Sequence, residues 1–309
     1  MERGFYITAN DKFADYSIAL LNSLRATDPD TPVMLIPYDD NYQEVAKILS
    51  DRFGVMVFDD LEFLERLSVN LQEIFGKNFF ARPNQFRKQA CWFGPFDKFL
   101  YIDTDIVVFE KLANYMDGLE ECDFICCDYQ HLGGLTNVFS QAVIDEGIFS
   151  ADDLKGMFNG GLWGSKKSLI TEDRLYEIFR ECAQHPEYFD FSQKTSDQPI
   201  INYMVLKYFQ KRRNYAIWPE RGPGSWAGTK HFQWQGDRLV DPNVDRPVPY
   251  LHWAGIKIRP GCPYWETWED YRYRGETKPE RSPLEEPPKA KTPSLRDRLR
   301  SVKHRIQGR

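Results

Sequence analysis

Two carboxylates one residue apart, Asp103 and Asp105, follow an apolar run in Tyr101-Ile102-Asp103-Thr104-Asp105-Ile106-Val107-Val108. On an extended chain, alternation points both side chains the same way. Two like charges held close are costly unless a hard cation lies between them. Spacing alone leaves strand-end acids or a helix cap as an equal reading. Asp28-Pro29-Asp30 has the same spacing inside an evident turn and is given no role.

Short apolar runs position these acids. Phe5–Thr8, Val33–Ile36, Val55–Phe58, Phe99–Ile102 and Phe124–Cys127 read as strands, and between them Leu20, Leu21 and Leu24, then Val45, Ile48 and Leu49, recur at helical spacing. Strand–helix–strand alternation predicts an α/β fold with a mainly parallel twisted sheet flanked by helices. Ligands of such sheets bind beyond the carboxyl ends of the strands. Those ends read Ala9-Asn10-Asp11, Tyr38-Asp39-Asp40, Asp59-Asp60, Asp103-Thr104-Asp105 and Asp128, an acidic edge that calls for solvent or a cation.

The motifs, in order, resemble the glycogenin-like glycosyltransferase family 8, whose fold is GT-A. Ile7-Thr8-Ala9-Asn10-Asp11-Lys12-Phe13 looks like the family's opening strand and turn, with Phe13 where an aromatic stacks on uracil. Arg87-Lys88-Gln89-Ala90-Cys91-Trp92 is similar to its lysine-bearing helix, Asp103-Thr104-Asp105 to its metal motif and Phe158-Asn159-Gly160-Gly161 to its Phe-Asn-small-Gly step. Ser196-Asp197-Gln198-Pro199 resembles its Asp-Gln helix start, and Leu251-His252-Trp253-Ala254-Gly255 its His-x-x-Gly segment. The family's following Lys-Pro-Trp is replaced by Ile256-Lys257-Ile258-Arg259-Pro260, which leaves the diphosphate to Lys257 or Arg259.

The resemblance implies a metal-dependent, retaining hexosyltransferase using a UDP-sugar. Asp103, Asp105 and His252 would hold Mn²⁺ (or Mg²⁺). Asp197, Gln198 and Lys88 would be catalytic. Ala9, Asn10, Phe13, Lys88, Asp103, Thr104, Asn159, Gly160, Gly255 and Lys257 would bind the donor. Carboxylates with an added imidazole tilt the choice of ion towards Mn²⁺. Each residue also has a plain structural reading: His252 as a buried histidine bonded to backbone, Lys88 as a solvated charge, Asp197 as a helix-start acid, Phe13 as core and Asn159 as a turn. The aromatic stretch Trp226–Trp234 suits a sugar-stacking acceptor loop or simple packing. The alternatives are a sugar-phosphate nucleotidyltransferase, which needs a Gly-rich basic loop that Thr8-Ala9-Asn10-Asp11 does not supply, and a non-catalytic nucleotide-sugar-binding protein.

The 309 residues carry a net charge of −6 and 42% hydrophobic residues, within the globular range. The last 35 hold ten Lys/Arg against five Asp/Glu, leaving −11 on residues 1–274. We expect a glycosyltransferase domain over 1–274, a Pro-rich linker over 275–293 and a short basic amphipathic helix over 294–309. The acidic balance argues against nucleic acid as a partner. The expected partners are a UDP-sugar and a sugar, lipid-linked or protein acceptor, with peripheral membrane contact through the tail. Scattered cysteines, no run of 18 apolar residues and a start that lacks a signal-peptide apolar region read as cytoplasmic.

Overall fold

A computed structural model describes residues 2–76, 82–127, 138–192, 197–217 and 220–276. In chain order its strands and helices are β1 (Arg3–Ala9), α1 (Ala14–Thr27), β2 (Val33–Pro37), α2 (Gln43–Phe53), β3 (Met56–Val57), α3 (Leu61–Phe75), β4 (Lys98–Ile102), β5 (Ile106–Val108) and β6 (Phe124–Cys126). There follow the short α4 (Ala142–Asp145) and α5 (Ala151–Leu154), β7 (Leu162–Lys166), α6 (Glu172–Gln184), α7 (Gln198–Tyr208) and β8 (Arg212–Asn214). The last are β9 (Gln233–Gln235), β10 (Arg238–Asp241), β11 (Arg246–Pro247), β12 (Tyr250–His252) and α8 (Trp265–Arg272).

Seven strands form the central sheet in the order β3-β2-β1-β4-β7-β6-β8. All run one way except β7, which is antiparallel to both of its neighbours. The fold is therefore α/β with a mostly parallel sheet, as the alternation of periods predicts. Period-two alternation splits β1 between the two faces. Tyr6 joins one core with Phe99, Tyr101 and Trp163, whereas Phe5, Ile7 and Ala9 join another with Leu35, Leu100 and Ile102. Helices cover both faces, so the parallel strands read as unbroken apolar runs.

The reversed strand matters for the site. Ile102 at the end of β4 pairs with Leu162 at the start of β7. The residues just beyond them, Asp103 and Gly161, face each other, and Asp103 N–H donates to Gly161 O at 2.7 Å. A parallel β7 would have started at the opposite edge. A two-stranded ribbon is added by β5 and β12, with His252 opposite Ile106. Trp253 N–H donates to Asp105 O at 3.0 Å. This pairing brings together two segments far apart in sequence.

One expectation is corrected. Asp103 and Asp105 do not share a face of an extended strand. Thr104 and Asp105 form the turn between β4 and β5, and it is the turn that gathers the carboxylates. The lysine-bearing segment is a 3₁₀ helix, Pro83–Trp92. Residues up to Arg274 make one compact unit. Asp128, Ser196 and the tail beyond 276 lie outside the described residues. Among the described residues no helix is long and apolar enough to cross a membrane.

Candidate active site

The carboxyl edge of the sheet opens into a cavity of about 370 Å³. Asp103, Thr104 and Asp105 line it from the β4–β5 turn, and His252, Ala254 and Gly255 from the end of β12. Asn159 and Gly160 reach it from the loop before β7, and Asp197 and Gln198 from the start of α7. Thr8, Ala9 and Phe13 enter from the end of β1, and Lys88 from the 3₁₀ helix.

Three of the acids at this edge, Asp11, Asp39 and Asp60, serve local structure. Asp11 Oδ1 accepts from Val45 N–H at 2.8 Å and Asp60 Oδ1 from Phe63 N–H at 2.8 Å, each stabilising a helix start. Asp39 accepts from Asn10 Nδ2 at 2.7 Å. Asp103 and Asp105 differ: with His252 they offer ligand atoms all within 4.8 Å of one another. An octahedral ion with bonds of about 2.1 Å separates neighbouring ligand atoms by about 3 Å and opposite ones by about 4.2 Å. His252 Nε2 lies 3.2 Å from Asp105 Oδ1, close to the first of these. Two carboxylates and one imidazole thus fit a divalent ion of the Mn²⁺ or Mg²⁺ class.

The imidazole has room because residue 161 is glycine. A Cβ there would meet His252 Cε1 at 2.2 Å. His252 N–H donates to Ser225 O at 2.8 Å, so the main chain on that side is fixed as well.

Behind the triad lies Lys88, buried beside two carboxylates. Its Nζ donates to Gly160 O at 3.4 Å and forms ion pairs with Asp197 Oδ2 at 3.1 Å and Asp103 Oδ1 at 3.5 Å. Burial alone would push the ammonium down. Asp103 and Asp197 outweigh that and raise it above an ordinary lysine. Burial pushes the Asp103 carboxyl up against the pull of Lys88, with the Asp105 charge adding to the rise. For Asp105, burial is outweighed by the charge and hydrogen bond of His252, and its carboxyl is lowered.

The loop before β7 is locked to α7. Asn202, fully buried, accepts from Phe158 N–H at 2.9 Å and donates to Phe158 O at 2.8 Å. Gln198 Oε1 accepts from Gly160 N–H at 3.2 Å, and Asn159 Oδ1 from Gly161 N–H at 2.9 Å. The loop and the Asp197-Gln198 helix start therefore form one unit.

Two expected donor residues stand apart. Asn10 is buried and does not line the cavity, although Ala9 does. Its amide nitrogen is committed to Asp39, while Oδ1 is a buried acceptor with no partner. Lys257 is exposed and off the cavity wall, as is Arg259. Gly255, at φ +71°, turns the chain after β12 in a conformation that favours glycine. Sequence reasoning missed Tyr16, Tyr38, Gln85 and Tyr101, which complete the lining. For Tyr101 there was a signal: a hydroxyl two residues before Asp103, in an otherwise apolar strand.

Residues 2–119 match the family model described as "Mannosyltransferase putative". Over 143 residues, 37% of this chain, the sequence is 25% identical to "Putative alpha-1,3-mannosyltransferase MNN1" of Candida albicans. That stretch covers 18% of the relative's own length. Among solved structures, the chain is similar to the galactosyltransferase LgtC in complex with donor and acceptor sugar analogs. The TM-score is 0.57 at 17% identity, over 90% of this chain and 98% of that one. It is also similar to the apo bifunctional glycosyltransferase WbbM, with a TM-score of 0.55 at 14% identity, over 88% of this chain and half of the other. These likenesses show the fold, a GT-A-like glycosyltransferase fold.

Proposed function

We propose that this chain is a metal-dependent, retaining glycosyltransferase of the family 8 type that moves a hexose from a UDP-sugar to an acceptor hydroxyl. The reading is carried by one observation: Asp103, Asp105 and His252 converge at a cavity that also presents Phe13, Asn159 and Gln198. Mannosyltransferases and a galactosyltransferase among the similar proteins support hexose transfer, and mannose and galactose are the first sugars to try.

A divalent ion held by this triad would neutralise the charge that grows on the leaving diphosphate. The rest of the chemistry belongs to the chain. Phe13, 38% exposed on the cavity wall, offers a face for the base. Asn10 Oδ1, a buried acceptor with no partner, lies off the cavity wall and would meet a uracil N–H only if the turn after β1 moved. Lys88 contributes a fixed positive charge near the diphosphate, held in place by its ion pairs with Asp103 and Asp197. Lys257 or Arg259 would reach the diphosphate only with movement of the segment after Gly255. Gln198, neutral and bonded to Gly160, is a poor nucleophile. Front-face attack, with the departing phosphate taking the acceptor's proton, keeps the anomeric configuration. The acceptor is a sugar, a lipid-linked sugar or a protein, and the basic tail would bring the enzyme to a membrane surface carrying it.

A nucleotidyltransferase is disfavoured because the end of β1 passes through Asn10 into a 3₁₀ turn, Asp11–Phe13, with no glycine-rich loop for a triphosphate. A thermal-shift panel of UDP- and GDP-hexoses, with and without Mn²⁺, tests donor and metal together. Nucleotide release from the stabilising donor then separates an enzyme from a binding protein. Asp105→Ala should lower that release by about a hundredfold or more at an unchanged melting temperature. Full activity in excess chelator would overturn the metal role.

A further inference from the structure

Tyr101 bonds its hydroxyl directly to a carboxylate of the triad. It belongs to β4 and is 2% exposed, and its O–H donates to Asp103 Oδ1 at 2.6 Å. The ring has no freedom to leave this position. On one side it stacks on Trp163, with centroids 5.5 Å apart and planes 28° from parallel. The Lys88 ammonium lies 4.8 Å from its centroid. Lys88 also faces the same Asp103 oxygen at 3.5 Å. At the main chain, Asp103 N–H is tied to Gly161 O. Both ends of this residue are thus held, and one carboxylate oxygen is engaged from within the protein.

We propose that Tyr101 is a positioning residue for the metal centre. By holding Asp103 Oδ1 from behind, it fixes the carboxylate plane and leaves Oδ2 as the ligand for the ion. Asp105 is placed differently, by the pairing of β5 with β12, where its main-chain O accepts from Trp253 N–H. An outer hydroxyl on a ligating carboxylate is the kind of contact whose loss costs about 10–100-fold in metal affinity. This inference rests on the metal reading above and adds to it a residue that does not touch the ion.

The test uses full-length protein stripped of metal and titrated with Mn²⁺, followed by calorimetry and by the electron paramagnetic resonance spectrum of the bound ion. Tyr101→Phe keeps the ring between Trp163 and Lys88, and its hydroxyl borders the open cavity, so the fold is retained. The control is Tyr6→Phe. Tyr6 pairs with Tyr101 across β1 and β4, is equally buried and packs its hydroxyl against Gly94, away from Asp103. Expected is a Mn²⁺ affinity lower by about tenfold to a hundredfold in Tyr101→Phe, with an altered spectrum and a kcat largely restored at saturating Mn²⁺. Tyr6→Phe should match the wild type. If the wild type binds no Mn²⁺, the metal reading falls and this inference falls with it. If the wild type binds and Tyr101→Phe binds equally well, the inference alone is overturned. A lower metal-free melting temperature with unchanged affinity would also overturn it, since that marks a purely structural hydroxyl.

Discussion

A methyl group added at Gly161 would lie 2.2 Å from His252 Cε1, whereas at Gly160 the nearest atom is 3.9 Å away. The first distance is one that real Cβ contacts do not show, so either the imidazole or the main chain must move. The imidazole is hemmed in by its bond to Asp105 and by the pairing of β12 with β5. Gly161→Ala should therefore displace His252, the proposed metal ligand, and cost about 1–3 kcal/mol through overpacking. Gly160→Ala should leave stability within about 0.5 kcal/mol of the wild type, as an added side chain there meets only ordinary contacts. Urea midpoints together with Mn²⁺ affinities for the two variants check this. The expected result is that Gly161→Ala loses both and Gly160→Ala keeps both. The same adjacent pair shows how far residue types carry. The Asn-Gly-Gly segment is readable as a site motif, but which glycine is sterically required depends on a histidine that approaches only in the folded chain.

At the scale of elements, the loop over Gly222–Ser225 and the end of β10 are joined through Asp241, which is 3% exposed. Its carboxylate accepts from Gly224 N–H, from Asn243 N–H and from His231 Nε2, each at 2.9 Å. Burial would raise this carboxyl, but the Gly224 and Asn243 bonds and His231 outweigh it and lower it below the usual carboxylate value. The unfolded chain then binds the proton first, near pH 3.9, and the stability that Asp241 supplies is complete above that value. It is lost as pH falls through the lower folded value. Asp241→Asn should cost about 1–3 kcal/mol at pH 6, a difference that shrinks below pH 4. Urea unfolding of both proteins across that range measures it, and a constant difference would remove the assignment. Elements such as β1, β2 and β4 are legible because burial on both faces writes them as continuous apolar runs. The strand β7 was hidden. Gly164 and Ser165 interrupt its apolar pattern, and Gly164 is needed because a Cβ would meet Phe99 O at 2.6 Å. The edge strand β8, Arg212-Arg213-Asn214, carries no apolar signal at all. The contact of His252 with Asp105 depends on a non-local strand pairing, so spacing alone left it open and only the ordered motifs pointed to it.

For the whole molecule, charge is divided between two parts: residues 1–274 carry −11 and the last 35 residues +5. In Ser294–Arg309, Leu295, Leu299, Val302 and Ile306 recur at i, i+4, i+7 and i+11, the spacing of one helical face. Ser294 follows Pro293 and suits the start of a helix. Arg296, Arg298, Arg300, Lys303 and Arg305 occupy the other positions. A basic amphipathic segment on a proline-rich tether suits an anionic bilayer surface. The apolar face has four aliphatic residues and no aromatic, so the hydrophobic contribution is small and much of the attraction must be electrostatic. Each basic group near such a surface adds about 1 kcal/mol, and salt screens it over about 10 Å at 0.1 M. Binding should be measurable at low salt, weak at physiological ionic strength and absent for neutral lipid. The comparison is between the full chain and one ending at Thr292, each sedimented with phosphatidylserine-containing and with pure phosphatidylcholine vesicles. The expected outcome is that only the full chain pellets, only with the anionic vesicles, and progressively less as salt rises. Equal pelleting of both proteins would place the attraction on the acidic domain or nowhere, and the tail would lose this role. Donor hydrolysis should be the same for the two chains, because every residue assigned to the site lies before Arg274.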